Sequence, residues 1–454
     1  MSQYIVERTK SNRIYLAWIG LFLLTFNVYH SILMAVLSLY SAASTMVIQG
    51  VAVCCLIAYL LTGDGIKLTS IQLSTVDILS IFSLAAVVIS TKDYANNLTY
   101  IIRYAVYIVV VILLKYDRRL VSILFTCLLL AGLLHLFFTL WFYIDKDFYM
   151  RNIFPYLAAD KRGHLYNQVV INGYATGMAG HYSLNGIYIA TSLCCVYTLL
   201  YERKKTSFCL MLLLMLVNVV ALFMTGKRGV ILFSIVAIVI TYLICSKQTL
   251  GTKLTMAIFA FVIAMTILSI FAMFNKGVAG TLTRFFDTLL RLNTDDISSG
   301  RFRLYEYAWN FFLDKPILGI GWRRFTQYIM PLFHGKKQLM DTHNVFLQLL
   351  CETGVVGFAA FFLLFSVSYV MTIRYVILCK EDKVELPRRL RVALTFSLCY
   401  QTFFLGYCIT GNPLYDLETL FAYFVALAAI SHIDHNYKDR IKTDRPQIVS
   451  KYIR

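Results

Sequence analysis

Stretches of about 20 predominantly apolar residues, each the length that carries a helix across a bilayer, recur twelve times along this 454-residue chain. They lie near 14–37, 43–61, 74–90, 98–114, 120–143, 182–200, 207–225, 229–245, 254–274, 343–373, 391–411 and 415–433. In hydrocarbon every backbone polar group must be satisfied within the protein, so only helices and closed barrels span. Period-two alternation is absent from these runs, which excludes a barrel. The chain is 59% hydrophobic and 15% charged, against roughly 45–50% and 25% for soluble domains. A soluble multi-domain enzyme, a disordered chain and a collagen-like fibre are all excluded. The expectation is an all-α polytopic membrane protein of about 12 transmembrane helices. The first run continues into further spans and reads as an anchor rather than a cleaved signal.

An even number of spans puts both termini on one side, and charge selects the side. With the termini cytoplasmic, the inner segments hold 24 Lys/Arg and 11 Asp/Glu. Tight loops such as Lys115–Arg119 and Glu202–Lys205 show the bias most clearly. This is the positive-inside pattern, so the formal charge of +18 orients a membrane protein and does not call for nucleic acid. The layout is then 1–143 with five spans, an extracytoplasmic loop at 144–181, four spans in 182–274, a large extracytoplasmic loop at 275–342, three spans in 343–433, and a cytoplasmic tail at 434–454. The outer segments still carry 17 Lys/Arg against 10 Asp/Glu, with 10 of the basic residues in 275–342 alone. Structureless loops this long are uncommon unless functional. The 11 Cys sit mostly inside apolar runs, where they act as small hydrophobes. No Cys/His ligand spacing appears, so neither a metal nor a cofactor is expected.

Three outer segments carry chemistry. Gly226-Lys227-Arg228-Gly229 is a short turn with two cations at the start of a helix. A snorkelling interfacial pair is one reading; an anion site built from backbone N–H groups and Arg is the other. In Asp341-Thr342-His343-Asn344, Asp341 or Thr342 is placed to cap the next helix, with His343 in its first turn. A helix N-terminus and partial burial keep such an imidazole neutral, as a general base requires; a capping or interfacial His is the alternative. Ser298–Trp309 reads as a capped amphipathic helix with Arg301 and Arg303 at its start, either an anion site or a solvated face. Arg323 and Arg324 follow a Gly-rich turn at 319–321, but no phosphate-binding P-loop is present. Arg103 and Glu352 are candidate intramembrane charges, and Asp416 and Glu418 read as dipole partners at the start of the last helix.

These pieces resemble the O-antigen ligase-like superfamily, which includes O-antigen ligases and Wzy-type polysaccharide polymerases. The matching elements are Thr225–Gly229, Gly300-Arg301 with Trp309 and Pro316–Gly321, and Thr342-His343-Asn344 leading to Glu352-Thr353-Gly354 and Gly357, within roughly residues 160–430. The resemblance implies transfer of glycan from undecaprenyl pyrophosphate to an acceptor hydroxyl, without metal, at the outer face of a bacterial cytoplasmic membrane. His343 would be the base. Arg228 and Arg301 would hold the pyrophosphate, with Lys227, Arg303 and Asn344 beside them. Ligases often carry a second His two positions before the His-Asn pair, where this chain has Asp341. Wzy-type polymerases are associated with an Arg followed by ten residues and then a Gly in each of two outer loops; here Arg162 precedes Gly173 and Arg324 precedes Gly335. Gly411–Asp416 also looks like exopolysaccharide polymerases. The resemblance therefore favours a polymerase over a ligase, with a chain-length regulator and a flippase as partners. A flippase proper would need cations deep in the bundle.

Overall fold

The structure, a computed structural model, describes residues 2–30, 37, 41–62, 72–156, 162, 166, 168–169, 173–202, 208–290, 301–333 and 341–441. Ser298 to Gly300, Gly335 and the tail beyond 441 therefore lie outside the described residues, as do parts of the loops at 62–77 and 202–205.

Among the described residues the protein is all helical. The long helices are α1 (Ser2–Tyr29), α2 (Ala42–Leu61), α3 (Thr75–Ser90), α4 (Tyr94–Leu114) and α5 (Arg118–Ile144). The short α6 (Lys146–Asn152) follows, then α7 (Tyr182–Tyr201), α8 (Phe208–Met224), α9 (Arg228–Cys245) and α10 (Leu250–Phe274). Next come α11 (Lys276–Leu290), α12 (Arg301–Asp314) and α13 (Phe325–Ile329), then α14 (Val345–Lys380), α15 (Arg388–Tyr407) and α16 (Leu417–Tyr437). Each predicted apolar run overlaps one helix. Eight of these helices are long and apolar enough to cross a membrane, and the apolar parts of α1, α3 and α8 are shorter. α15 is not among either set, because it opens on Arg388, Arg389 and Arg391 and buries Ser397, Gln401 and Thr402. The protein is a multi-pass membrane protein.

Helices α7 and α16 are largely buried, whereas α10 is almost wholly exposed and lies at the rim. The centre is held by polar groups that satisfy one another, as a dry interior demands. Gln401 Nε2 on α15 donates to Thr372 Oγ1 at 2.7 Å and Ser397 Oγ at 2.9 Å, while its Oε1 accepts from Ser368 at 3.1 Å. Ser397 Oγ donates to the Ala426 carbonyl at 2.9 Å, tying in α16. A second buried node pairs Lys115 with Asp77 at 2.6 Å, both side chains fully buried. Asp77 closes a capping box on α3 with Ser74 and accepts from Ser431 at 3.0 Å.

The predicted inner loops share one end of the bundle. Arg391 pairs with Glu202, Lys247 with Asp382, and Asn436 donates to the Lys115 carbonyl. The predicted outer loops share the other end: Ala175 N donates to Met224 O, Trp322 N to Ser90 O, and Val345 N to Cys408 O. The two long loops contain α6 in one and α11, α12 and α13 in the other.

Candidate functional site

The second end of the bundle holds a mouth built from four distant segments. The first is the turn before α9. Gly226 has φ +71°, and its α-carbon lies so close to the Tyr174 ring that a β-carbon would collide with it; only Gly suits this corner. The turn presents Lys227, half-buried, and Arg228, exposed. Lys227 lies over the Tyr182 ring at 5.9 Å. Arg228 Nη1 donates to the Arg284 carbonyl on α11 at 3.4 Å. The Arg284 guanidinium itself covers Tyr174 at 4.9 Å.

The second segment is the start of α12. Arg301 Nη1 reaches the Thr410 carbonyl at 3.3 Å, so this helix docks over the connection between α15 and α16. Arg303, two residues on, turns along its own helix toward Tyr307 Oη at 3.1 Å.

The third segment carries His343, and here the local structure differs from expectation. The cap of α14 is Asn344, whose Oδ1 accepts from the N–H groups of Phe346 at 3.1 Å and Leu347 at 3.2 Å. Neither Asp341 nor Thr342 caps the helix. Asn is as good an N-cap as Asp and better than Thr, and capping commits the Asn344 side chain to the backbone. His343 consequently sits before the helix, not in its first turn, with φ +55°. A left-handed backbone on a bulky residue is uncommon and is held only by its surroundings. Thr342 Oγ1 accepts from Asn344 N–H at 3.1 Å and donates to Asn344 O at 2.8 Å, while Val345 N–H is fixed on Cys408 O at 2.9 Å. These bonds turn the imidazole into the mouth. Burial, then the charges of Arg301 and Lys227, push it down to about 4, with Asp341 opposing.

The fourth segment is the connection 411–416. Asp416 occupies the N-cap position of α16 but makes no capping bond. Burial, then Glu418 and Asp341, push its carboxyl up to about 7, with Lys227 and Arg323 opposing. Lys227 is in turn pushed down to about 8 by burial and by Arg301, with Asp416 opposing. Lys227, Arg301, His343, Asp341 and Asp416 are therefore within one another's electrostatic reach.

The floor of the mouth is a break in α14. Gly354 has φ 63° and ψ −168°, which interrupts the helical ladder. Segment 316–321 supplies the missing partners. Ile320 and Gly321 N–H groups bond the Cys351 and Glu352 carbonyls at 2.9 Å each, and Val355 N–H bonds Pro316 O at 2.8 Å. The Glu352 carboxylate accepts from Arg323 N–H at 2.8 Å, Phe325 N–H at 3.1 Å, Gln348 Nε2 at 3.2 Å and Tyr415 Oη at 2.8 Å. Trp322 is fully buried and stacks on Tyr415 with ring centres 4.8 Å apart. Glu352 thus pins the Gly-rich turn and the residue next to Asp416 to the helix that follows His343. Its four partners identify it as an anchor.

Of the sequence-predicted residues, the mouth gathers His343, Lys227, Arg228 and Arg301. Arg324 heads α13, lies over Tyr328 at 5.3 Å and reaches Gln327 at 3.4 Å. Arg162 donates to Pro155 O within its own loop at 2.8 Å. Asp416, Arg284 and Tyr182 were not singled out for this site. The 411–416 segment already pointed toward Asp416. Arg284 rides on α11, which apolar residues at 278, 282 and 285 mark as amphipathic. Tyr182 has no sequence signal, because only the approach of α7 to the 226–228 turn brings it there. Among the described residues, no cluster of His, Cys, Asp or Glu is arranged to hold a metal.

Residues 210–362 match the sequence model of the family described as O-antigen ligase. No curated protein matches the chain. The matched stretch begins in α8 and ends past the break in α14, so it carries Lys227, Arg228, Arg301, His343 and Glu352, while Asp416 lies beyond it. Over this stretch, about a third of its length, the chain is similar to the O-antigen ligase family.

Proposed function

We propose that the protein is a polysaccharide polymerase joining lipid-linked oligosaccharide repeat units at the extracytoplasmic face of a bacterial cytoplasmic membrane. The observation that carries this reading is the convergence of Lys227, Arg228 and Arg301, from two separate segments, beside a neutral His343. A pyrophosphate-linked glycan needs positive charge where the leaving group departs and a base where the acceptor hydroxyl attacks.

In the proposed reaction the acceptor hydroxyl oxygen bonds the anomeric carbon of the donor glycan. The bond from that carbon to the pyrophosphate oxygen breaks, and undecaprenyl pyrophosphate leaves with the bonding electrons. His343 takes the hydroxyl proton. Arg228, Arg301 and Lys227 stabilise the charge that develops on the leaving group, the role a divalent ion plays elsewhere, so the reaction runs without one. Burial, then the charges of Arg301 and Lys227, hold His343 near 4 in the free protein. The negative pyrophosphate offsets their charge, so substrate binding raises the basicity of the imidazole when it is needed. Asp416, with its carboxyl near 7, is a second group in the mouth able to take or release a proton.

Reconstitution with purified lipid-linked repeat units tests the reading. Polymer forms in the presence of a chelator, and His343→Ala inserts normally but leaves single repeats. Strict dependence on a divalent ion, or full-length polymer from His343→Ala, overturns it. The family match, described as O-antigen ligase, favours a second reading, transfer of finished glycan to lipid A core or another surface acceptor. Gene deletion separates the two. Loss of a polymerase leaves one repeat on the final acceptor, whereas loss of a ligase accumulates long chains on the lipid carrier. A chain-length regulator and a flippase complete the proposed set of partners.

A further inference from the structure

At the end of the bundle opposite the mouth, a cleft of about 650 Å³ opens between α1, α5, α7 and α15. Its walls are Ile14 and Trp18 of α1, Ile123, Phe125 and Leu129 of α5, and Leu199 of α7; Arg119, Arg388 and Arg389 stand at its rim. Ser122 and Thr126 also face it, but each hydroxyl donates to its own helix, to Arg118 O and Ser122 O, which leaves the wall apolar. The depth is informative. From Arg119 to Leu129 is ten residues, about 15 Å at 1.5 Å per residue, or half of a ~30 Å hydrocarbon core. The cleft is one leaflet deep, with cations at the headgroup level and apolar residues beneath.

Two of the three cations are not spent on the protein. Arg388 Nε donates to the Glu202 carbonyl at 2.7 Å. Asp117 accepts from the Arg119 backbone N–H and from Tyr59 Oη. Among the described residues, no hydrogen bond or ion pair engages the guanidinium of Arg119 or Arg389, and no acidic side chain lines the cleft.

We infer that this cleft is a binding site for one anionic phospholipid of the adjacent leaflet, its phosphate on Arg119 and Arg389 and one acyl chain along Phe125 and Leu129. A neutral lipid fills the same volume but leaves two guanidinium groups without a counter-charge at the edge of the low-dielectric region, whereas basic pockets between helices select acidic headgroups. The inference is independent of the reaction at the mouth.

The test titrates purified protein in neutral detergent with phosphatidylglycerol, phosphatidylcholine or inorganic phosphate, following bound lipid by native mass spectrometry and unfolding temperature. Phosphatidylglycerol is expected to bind and to raise the unfolding temperature, and the other two are not. Arg119→Gln/Arg389→Gln should weaken phosphatidylglycerol binding by about tenfold or more. Arg119→Lys/Arg389→Lys should retain most of it, which shows that charge and not folding is responsible. Equal response to phosphatidylcholine, equal response to inorganic phosphate, or unchanged binding in the Gln variant overturns the inference. So does a Gln variant that loses only self-association and keeps its lipid.

Discussion

The imidazole of His343 and the cations around it set one another's charge, and this coupling is testable one residue at a time. A base works deprotonated, so activity is full above its pKa and falls as pH drops through it. For kcat/KM, which reports the free enzyme, that limb lies near pH 4. On the proposed mechanism the kcat limb lies higher, because a bound pyrophosphate would offset Arg301 and Lys227. Arg301→Gln removes one depressing charge and should move the kcat/KM limb upward; a pH–rate profile that stays in place refutes the coupling. His343→Ala should cost about 10²–10⁴-fold in turnover, the usual contribution of a positioned base. Arg228→Ala and Arg301→Ala should each cost roughly 10²–10³-fold in kcat, as loss of one transition-state donor does. An effect confined to KM instead would assign them to ground-state binding. Asn344, occupied as a cap, should show itself differently. Asn344→Asp keeps the cap and Asn344→Ala loses about 1 kcal/mol of stability, read as an unfolding temperature.

At the scale of elements, the break in α14 and the segment that fills it are one unit. Gly354 combines φ 63° with a carbonyl of Ile317 placed where a β-carbon would go. Gly354→Ala therefore carries about 1–3 kcal/mol of backbone strain and a clash that dislodges 316–321 as well. The unfolding temperature should fall, and amide exchange should rise at Ile320 and Gly321. Glu352→Ala leaves the buried N–H of Phe325 and that of Arg323 without their acceptor, at about 1–3 kcal/mol each. Exchange at those two amides distinguishes an anchor from a proton donor, since a purely chemical role leaves them protected. The resemblance to known enzymes named Pro316–Gly321 and Glu352-Thr353-Gly354 as separate pieces. Residues 31 to 38 positions apart show no periodicity that announces a contact, so only the fold reveals that one completes the other's hydrogen bonds.

For the whole molecule, the buried Lys115–Asp77 pair ties α3, the α4–α5 corner and α16 together at the end away from the mouth. Removing one partner of a buried pair leaves an uncompensated charge and typically costs 3–5 kcal/mol. Lys115→Met should therefore destabilise the protein more than Lys115→Met combined with Asp77→Ser, measured by thermal unfolding in detergent. If the single variant proves as stable as the double, the pair does not hold the end together. The α10 helix offers the contrast. It lies at the rim with its side chains facing outward, so Phe259→Ala should shift stability by no more than about 0.5 kcal/mol.

The sequence by itself determined that the chain is a helical membrane protein and where its helices run, because hydrophobic length is a local property read directly from successive residues. It also singled out His343, Arg228 and Arg301, since polar residues at the mouths of apolar helices stand out against their surroundings. The tertiary structure alone decided that Asn344 is the cap, that Arg303, Arg324 and Arg162 turn to partners in their own helix or loop, and that Asp416 and Tyr182 share the mouth with His343. Those outcomes depend on which helix ends come together in space, and the energy that selects them comes from hydrogen bonds and charges between segments up to hundreds of residues apart.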